Sequence, residues 1–222
     1  MPLYEWIVFD STGTLMTPDP EPAQVYRDAA ARFGNPGSVD EVRSRLKAAM
    51  RRHFFGDTAE SPTSEAFELQ RWRRIVGETL GDGIPPEDFP STFESLWQHF
   101  AEAAAWRLFA DVADTLQRLR RQGYPIAVAS NFDGRLRPIL AGLGIESLVD
   151  EVLISSDLGF SKPNPKFYEA AAKRLGVSDV RTLLMIGDTH EGDVVAAKRA
   201  GWDARHLVRD RPDALSELTS DL

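Results

Sequence analysis

The strongest constraint on this chain is a repeated pattern in which short apolar runs stop at polar residues and alternate with helical stretches. The runs are Trp6–Phe9, Ile126–Ala129, Glu151–Ile154, Thr182–Ile186 and Ala204–Leu207. Three of them are nearly continuous apolar segments, as expected of strands covered on both faces of a parallel sheet. Val112–Arg121, Leu136–Leu143, Pro165–Leu175 and Val194–Ala200 carry helical periodicity, and Gly144, Gly176 and Gly201 close the last three. Strands alternating with helices of this size predict an α/β fold built on a doubly wound parallel sheet.

The first strand stands apart, because more than a hundred residues separate it from the second. Within Asp19–Arg107 the periodicity is helical and predicts no strand. The expected helices are Pro22–Phe33, Val39–His53, Ser64–Leu80 and Pro86–Trp106, separated by Gly34-Asn35-Pro36-Gly37, Gly56–Pro62 and Gly81–Pro86. This predicts a helical domain over residues 18–107 inserted into an α/β core of residues 1–17 and 108–222. Its aromatic residues Phe54, Phe55, Trp72 and Trp97 read as packing between helices, and Arg51-Arg52-His53 as a solvated helix end. Arg211–Leu222 reads as a frayed terminal helix.

Composition removes several classes of function. A net charge of −8 without a Lys/Arg stripe argues against a nucleic-acid partner. With no cysteine there is no thiolate nucleophile and no cysteine-ligated metal. No apolar run approaches the roughly 18–20 residues that a membrane span requires. The N-terminus enters an apolar segment without a basic leader, so a cytoplasmic protein is expected, as a monomer or weak dimer.

Four of the strand ends carry polar signatures: Asp10-Ser11-Thr12-Gly13-Thr14, Ser130-Asn131, Lys162-Pro163, and Gly187-Asp188 followed by Asp193. Ligands of open α/β sheets bind beyond the carboxyl ends of the strands where strand order reverses. With the first strand central, all four signatures converge there. Asp10 and Asp188 are hard oxygen ligands suited to Mg²⁺, and the Thr12 carbonyl offers another oxygen. Lys162 supplies a positive charge and Ser130 a hydroxyl. A cation, a lysine and aimed donors are what a phosphoryl group needs, and a carboxylate beside a metal can act as a covalent nucleophile.

These segments, in this order, resemble the four motifs of the haloacid dehalogenase superfamily. The long insertion resembles the helical C1 cap of its subfamily I. Ser130-Asn131-Phe132-Asp133-Gly134-Arg135-Leu136 and Gly159-Phe160-Ser161-Lys162-Pro163-Asn164-Pro165 resemble the rhythmically-expressed-gene-2-like branch. The resemblance implies a Rossmann-like sheet in the order 3-2-1-4-5 and a phosphatase that acts on a small phosphorylated metabolite through an aspartyl-phosphate. It further implies Asp10 as nucleophile, Mg²⁺ held by Asp10, Thr12, Asp188 and Asp193, and a phosphoryl group gripped by Ser130 and Lys162. Asn131 and Thr14 are expected beside the substrate, where Thr14 braces the first loop and Asn131 shapes its own.

Thr12 departs from the pattern. Phosphatases of this superfamily carry an aspartate there to protonate the leaving oxygen, and a threonine hydroxyl is no useful acid near pH 7. That role contributes about 10²–10⁴-fold. The departure leaves three outcomes open: leaving groups that need little protonation, a substitute acid such as His190 or Glu191, or slow hydrolysis. His53 and Arg51 are further candidates for the acid, and Met16–Pro22 for a substrate-contacting loop. Two other readings stand beside the phosphatase, a metal-independent 2-haloacid dehalogenase and a non-catalytic phosphate-binding protein.

Overall fold

A computed structural model describes residues 3–34, 36–56 and 61–222, with the side chains of Phe55 and Asp82 outside the description. Asn35, the middle of the Gly56–Pro62 cluster and the Phe55 side chain therefore lie outside the described residues.

The elements run β1 (Trp6–Phe9), β2 (Met16–Pro18), α1 (Pro22–Ala31), α2 (Val39–Phe55), α3 (Glu65–Leu80), α4 (Phe89–His99) and β3 (Trp106–Leu108). They continue with α5 (Val112–Arg121), β4 (Ile126–Ser130), α6 (Leu136–Gly142), β5 (Glu151–Ile154), α7 (Ser155–Leu158) and α8 (Pro165–Leu175). The chain closes with β6 (Leu183–Gly187), α9 (Ala196–Arg199), β7 (Asp203–His206) and α10 (Ala214–Leu218). Five strands form one parallel sheet in the order β5-β4-β1-β6-β7, the predicted 3-2-1-4-5. β1 is central, with Ile7 opposite Ile126 on one side and Leu184 on the other.

Alternation along the strands divides the core into two layers. Ile7, Phe9, Ile126, Val128, Leu184 and Ile186 face Val112, Leu116 and Leu119 of α5 and Leu136 and Ile139 of α6. Val8, Ala127, Ala129, Leu183 and Met185 face Phe167, Tyr168 and Ala171 of α8 and Ala197 of α9. The terminal segment is anchored rather than frayed, since Leu215 and Leu222 are buried in the first layer.

Helices α1–α4 enclose a third apolar cluster that includes Tyr26, Val42, Ile75, Phe93 and Leu96. Ser38 caps α2 reciprocally with Glu41, and the Ser64 side chain caps α3. Two expectations fail in this region. β3 begins inside the stretch expected to lack strands and runs one residue past its end, pairing antiparallel with β2 through Met16–Leu108, Thr17–Arg107 and Pro18–Trp106. Three-residue strands, one ending in proline, carry no readable period. The expected helix Pro86–Trp106 shrinks to Phe89–His99, because the chain leaves the helix after Phe100 and passes through a short 3₁₀ turn, Ala103–Ala105, into β3. Among the described residues, no helix is long and apolar enough to cross a membrane.

Candidate active site

At the carboxyl end of β1 the Asp10 amide still donates to Ile186 O at 2.9 Å, which ties the residue to the top of β6. The chain then folds back on Ser11, whose carbonyl accepts the amides of Leu15 at 2.8 Å and Met16 at 3.0 Å. Gly13 sits in this turn at φ +89°, and a Cβ there would lie 2.7 Å from Asp188 Cγ. Both the backbone and the neighbouring carboxylate thus demand glycine.

Asp188 follows β6 and is clasped by Thr14. The Thr14 hydroxyl donates to Asp188 Oδ1 at 3.2 Å and accepts from the Asp188 amide at 3.1 Å. Asp193 arrives on a π-helical turn, His190–Val195, that leads into α9, so only Val194 and Val195 of the expected helix Val194–Ala200 lie in a wider turn. The wider turn directs Asp193 inward, 1% exposed, and its Oδ2 accepts the Thr189 amide at 2.9 Å. Gly187 makes this possible, since a Cβ there would overlap the Asp193 side chain.

Lys162 enters from the loop before α8, 4% exposed. Its ammonium donates to Asp10 Oδ1 at 2.8 Å, Asp193 Oδ1 at 2.5 Å and Ala129 O at 2.8 Å, which uses all three donors. Oxygens of Asp10, Asp188 and Asp193 all lie within 4.8 Å of one another. At that spacing each like-charge pair costs roughly 3 kcal/mol with an effective dielectric near 20. Burial pushes the Asp10 carboxyl up, Lys162 opposes this, and Asp193 and Asp188 add to it, leaving Asp10 at about 7. Asp188 also rises, through burial and then Asp193. Burial works against the Lys162 charge, but Asp10 and Asp193 outweigh it and hold the ammonium above its ordinary range. Three hard carboxylates against one ammonium leave an excess of buried negative charge, a donor set that fits a hard divalent cation such as Mg²⁺.

Above these groups lies a cavity of about 370 Å³, walled on its far side by α1–α4. Asp10, Thr12, Ser130, Lys162, Asp188 and Asp193 line its floor. Ser130 Oγ lies 2.7 Å from Ser11 Oγ. Asn131 also borders the cavity, while its side chain clasps the Lys162 backbone, accepting from its amide at 2.7 Å and donating to its carbonyl at 2.8 Å. One expectation needs correction. Thr14 is wholly buried against Asp188 and is absent from the lining.

The proposed substitute acids are also elsewhere. His190 and Glu191 are 60% and 69% exposed, face each other at 3.6 Å and do not line the cavity. His53 pairs with Glu78 at 2.7 Å, and neither it nor Arg51 lines the cavity. Phe54, Trp72 and Trp97 do line it, so they serve the cavity as well as helix packing. Pro18 and Pro22 represent the Met16–Pro22 loop. Sequence reasoning passed over Tyr26, Arg135 and Trp106, although Arg135 lies inside a motif segment.

A strand-1 aspartate facing Lys162 and two further carboxylates agrees with comparison to known proteins, in which the model for haloacid dehalogenase-like hydrolases matches residues 4–201. The chain belongs to this hydrolase family. Human haloacid dehalogenase-like hydrolase domain-containing protein 3 is 33% identical over 128 residues, 58% of this chain and 50% of that protein. This chain thus matches about half the length of that relative. Phosphoserine phosphatase of Thermus thermophilus is 28% identical, with 96% of this chain and 93% of that protein covered. The L-2-haloacid dehalogenase of Xanthobacter autotrophicus, solved with chloropropionic acid covalently bound, superposes with a TM-score of 0.69 at 23% identity, covering 96% of this chain and 81% of that one.

Proposed function

We propose that this hydrolase is a Mg²⁺-dependent phosphatase that works through an aspartyl-phosphate on Asp10. The observation that carries the reading is the Asp10 carboxylate on the cavity floor, held at 2.8 Å by Lys162 and grouped with Asp188 and Asp193. An Asp10 oxygen attacks phosphorus, and the bond from phosphorus to the leaving oxygen breaks with its electron pair on that oxygen. Water then attacks the phosphoryl group, which releases phosphate and restores the carboxylate. Asp10, Asp188, Asp193 and the Thr12 carbonyl would hold Mg²⁺, which when bound offsets the negative charge of the phosphoryl oxygens. Ser130 would donate to one of those oxygens, and Lys162 favours the ionised form of Asp10 against its burial and aims it. Residues 18–107 form the cap domain in this reading, and their closure over the floor excludes water.

A dehalogenase is the second reading, favoured by the apolar cavity. Asp188 stands against it, because a third carboxylate would repel the acid group of a haloacid. Trapping with beryllium fluoride and Mg²⁺, followed by ¹⁹F NMR, tests the phosphatase. A bound signal is expected in the wild type and none in Asp10→Asn, with hydrolysis of acetyl phosphate abolished by EDTA. An Asp10→Asn variant that still turns over, or halide release indifferent to EDTA, overturns it.

A further inference from the structure

We propose that the substrate is an aryl phosphate: a phosphoryl group on a flat apolar ring whose oxygen departs as an aryloxide. This rests on the phosphatase reading and narrows it from small phosphorylated metabolites in general. The first observation is the division of the cavity. Its ionised ligands sit on the floor, while the insert contributes Tyr26, Met50, Phe54, Trp72, Trp97 and Phe100 to the wall.

Among the described residues, the one cation in the wall is already engaged. Arg135 binds Asp133 through Nε and Nη2, both at 2.8 Å, donates from Nη1 to Trp97 O at 3.1 Å and lies over the Trp97 ring. A substrate with its own carboxylate or ammonium would bury that charge without a partner, at a cost of several kcal/mol. A flat ring meets instead the faces and edges of aromatic side chains.

The second observation concerns the proton. Among the described lining residues there is no histidine and no glutamate, and Thr12 stands on the floor where an acid would serve an alkoxide. Burial raises the Tyr26 phenol and makes it a poorer donor. An alkoxide is about as basic as hydroxide, whose parent water has a pKa of about 16, whereas a phenol ionises near 10. An aryloxide can therefore carry off the electron pair of its bond to phosphorus and take its proton from solvent after release. Acyl phosphates meet this second condition but leave the apolar wall unfilled.

Size agrees as well. A cavity of about 150 Å³ accepts benzene, so 370 Å³ has room for two fused rings and a phosphoryl group.

The test compares 2-naphthyl phosphate, phenyl phosphate, acetyl phosphate and phosphoserine as substrates of the full chain with Mg²⁺. The two phenols leave with similar ease, so their ratio reads the cavity. The second ring should raise kcat/KM about tenfold through added apolar burial, and phosphoserine should fall at least 100-fold behind phenyl phosphate. Met50→Lys, which places a charge in the wall, should bring the naphthyl-to-phenyl ratio near one.

Binding is read separately in Asp10→Asn, as tryptophan quenching by naphthylmethylphosphonate and by methylphosphonate. At least tenfold tighter binding of the aryl ligand is expected. Asp10-dependent turnover with no preference for aryl groups in either assay overturns the substrate class and leaves the phosphatase standing. Tight aryl binding without turnover of any phosphate supports the aryl site and overturns the phosphatase instead.

Discussion

Gly187 offers a direct test of how the floor of the site is held. A Cβ at this position would lie 2.5 Å from Asp193 Cβ, and nearer still to its carboxyl group, whereas ordinary contact begins at 3.4 Å. Gly187→Ala therefore forces a separation of about 1 Å. Little else can yield: Leu207 N donates to Gly187 O at 2.9 Å, Asp193 N donates to Thr189 O at 2.7 Å, and the Tyr168 hydroxyl bonds Gly192 O. The displacement falls on the Asp193 carboxylate. Moving it by about 1 Å takes the 2.5 Å bond from Lys162 and the 2.9 Å bond from Thr189 N out of hydrogen-bonding range. A hydrogen bond to a charged group contributes about 1.5–3 kcal/mol, and replacing glycine returns about 0.4–1 kcal/mol through the unfolded chain. For the two bonds together the expected net loss is at least about 2 kcal/mol, which for a chain of 222 residues lowers Tm by at least about 4 °C. Mg²⁺ affinity should fall about tenfold or more, since a carboxylate of the cluster has moved. Thermal melts in EDTA and titration calorimetry with Mg²⁺ measure both effects. Asp193→Gly removes the clashing atoms, so the stability cost of Gly187→Ala should nearly vanish in that background. An equal cost in both backgrounds, or unchanged stability and Mg²⁺ binding, refutes the close-approach argument.

Other perturbations probe the rest of the molecule. Thr12→Asp places a proton donor on the cavity floor and should raise turnover of alkyl phosphates about 10²–10⁴-fold while changing acetyl phosphate little; steady-state rates on both check this, and equal effects would count against it. Asp10, lifted to about 7, gives the metal-free protein a stabilising contribution that is complete below the ordinary carboxylate range and lost as pH rises through about 7. Mg²⁺ needs the ionised form, so its affinity should weaken about tenfold per unit below pH 7 and level off above, with proton release visible by calorimetry in two buffers. A flat profile would contradict the shift. Arg71, 3% exposed, donates to Glu68 Oε1 at 2.8 Å, and Glu68 is wholly buried. Arg71→Leu should cost about 3–5 kcal/mol at neutral pH. Burial already raises Glu68, and losing Arg71 raises it further, so urea denaturation should show the deficit shrinking as pH falls and Glu68 becomes protonated.

The parallel sheet was legible because its strands are covered on both faces. Ile7 and Phe9 bury into one layer and Val8 into the other, so no polar residue interrupts the run until Asp10. A buried run can stop at a charge only where the sheet ends, which is why the strand ends located the floor. Elements fixed by one or two tertiary contacts left no such trace. β2 and β3 hold by a three-pair ribbon. The π turn widens where Tyr168 reaches Gly192 O and Gly187 admits Asp193, and those residues are remote in sequence or featureless in pattern.

The cavity was hidden for a different reason. Helical periodicity states that Phe54, Trp72 and Trp97 face inward, and the same inward face can meet another helix or an empty volume. Here each does both: Phe54 packs edge-on to Trp72 at 5.9 Å, Trp97 lies 5.8 Å from Phe93, and all of them border the cavity. What separates packing from lining is the distance between α1–α4 and the floor, which no local pattern encodes. Thr12 shows the complementary case. Its identity announces the missing acid, but only the geometry shows that His190, Glu191, His53 and Arg51 stand outside the lining of the cavity. In the proposed phosphatase, a floor without a histidine or glutamate among the described lining residues, beneath an aromatic wall, makes the leaving group responsible for its own departure. The chemistry of the floor and the shape of the wall therefore constrain the same half of the substrate.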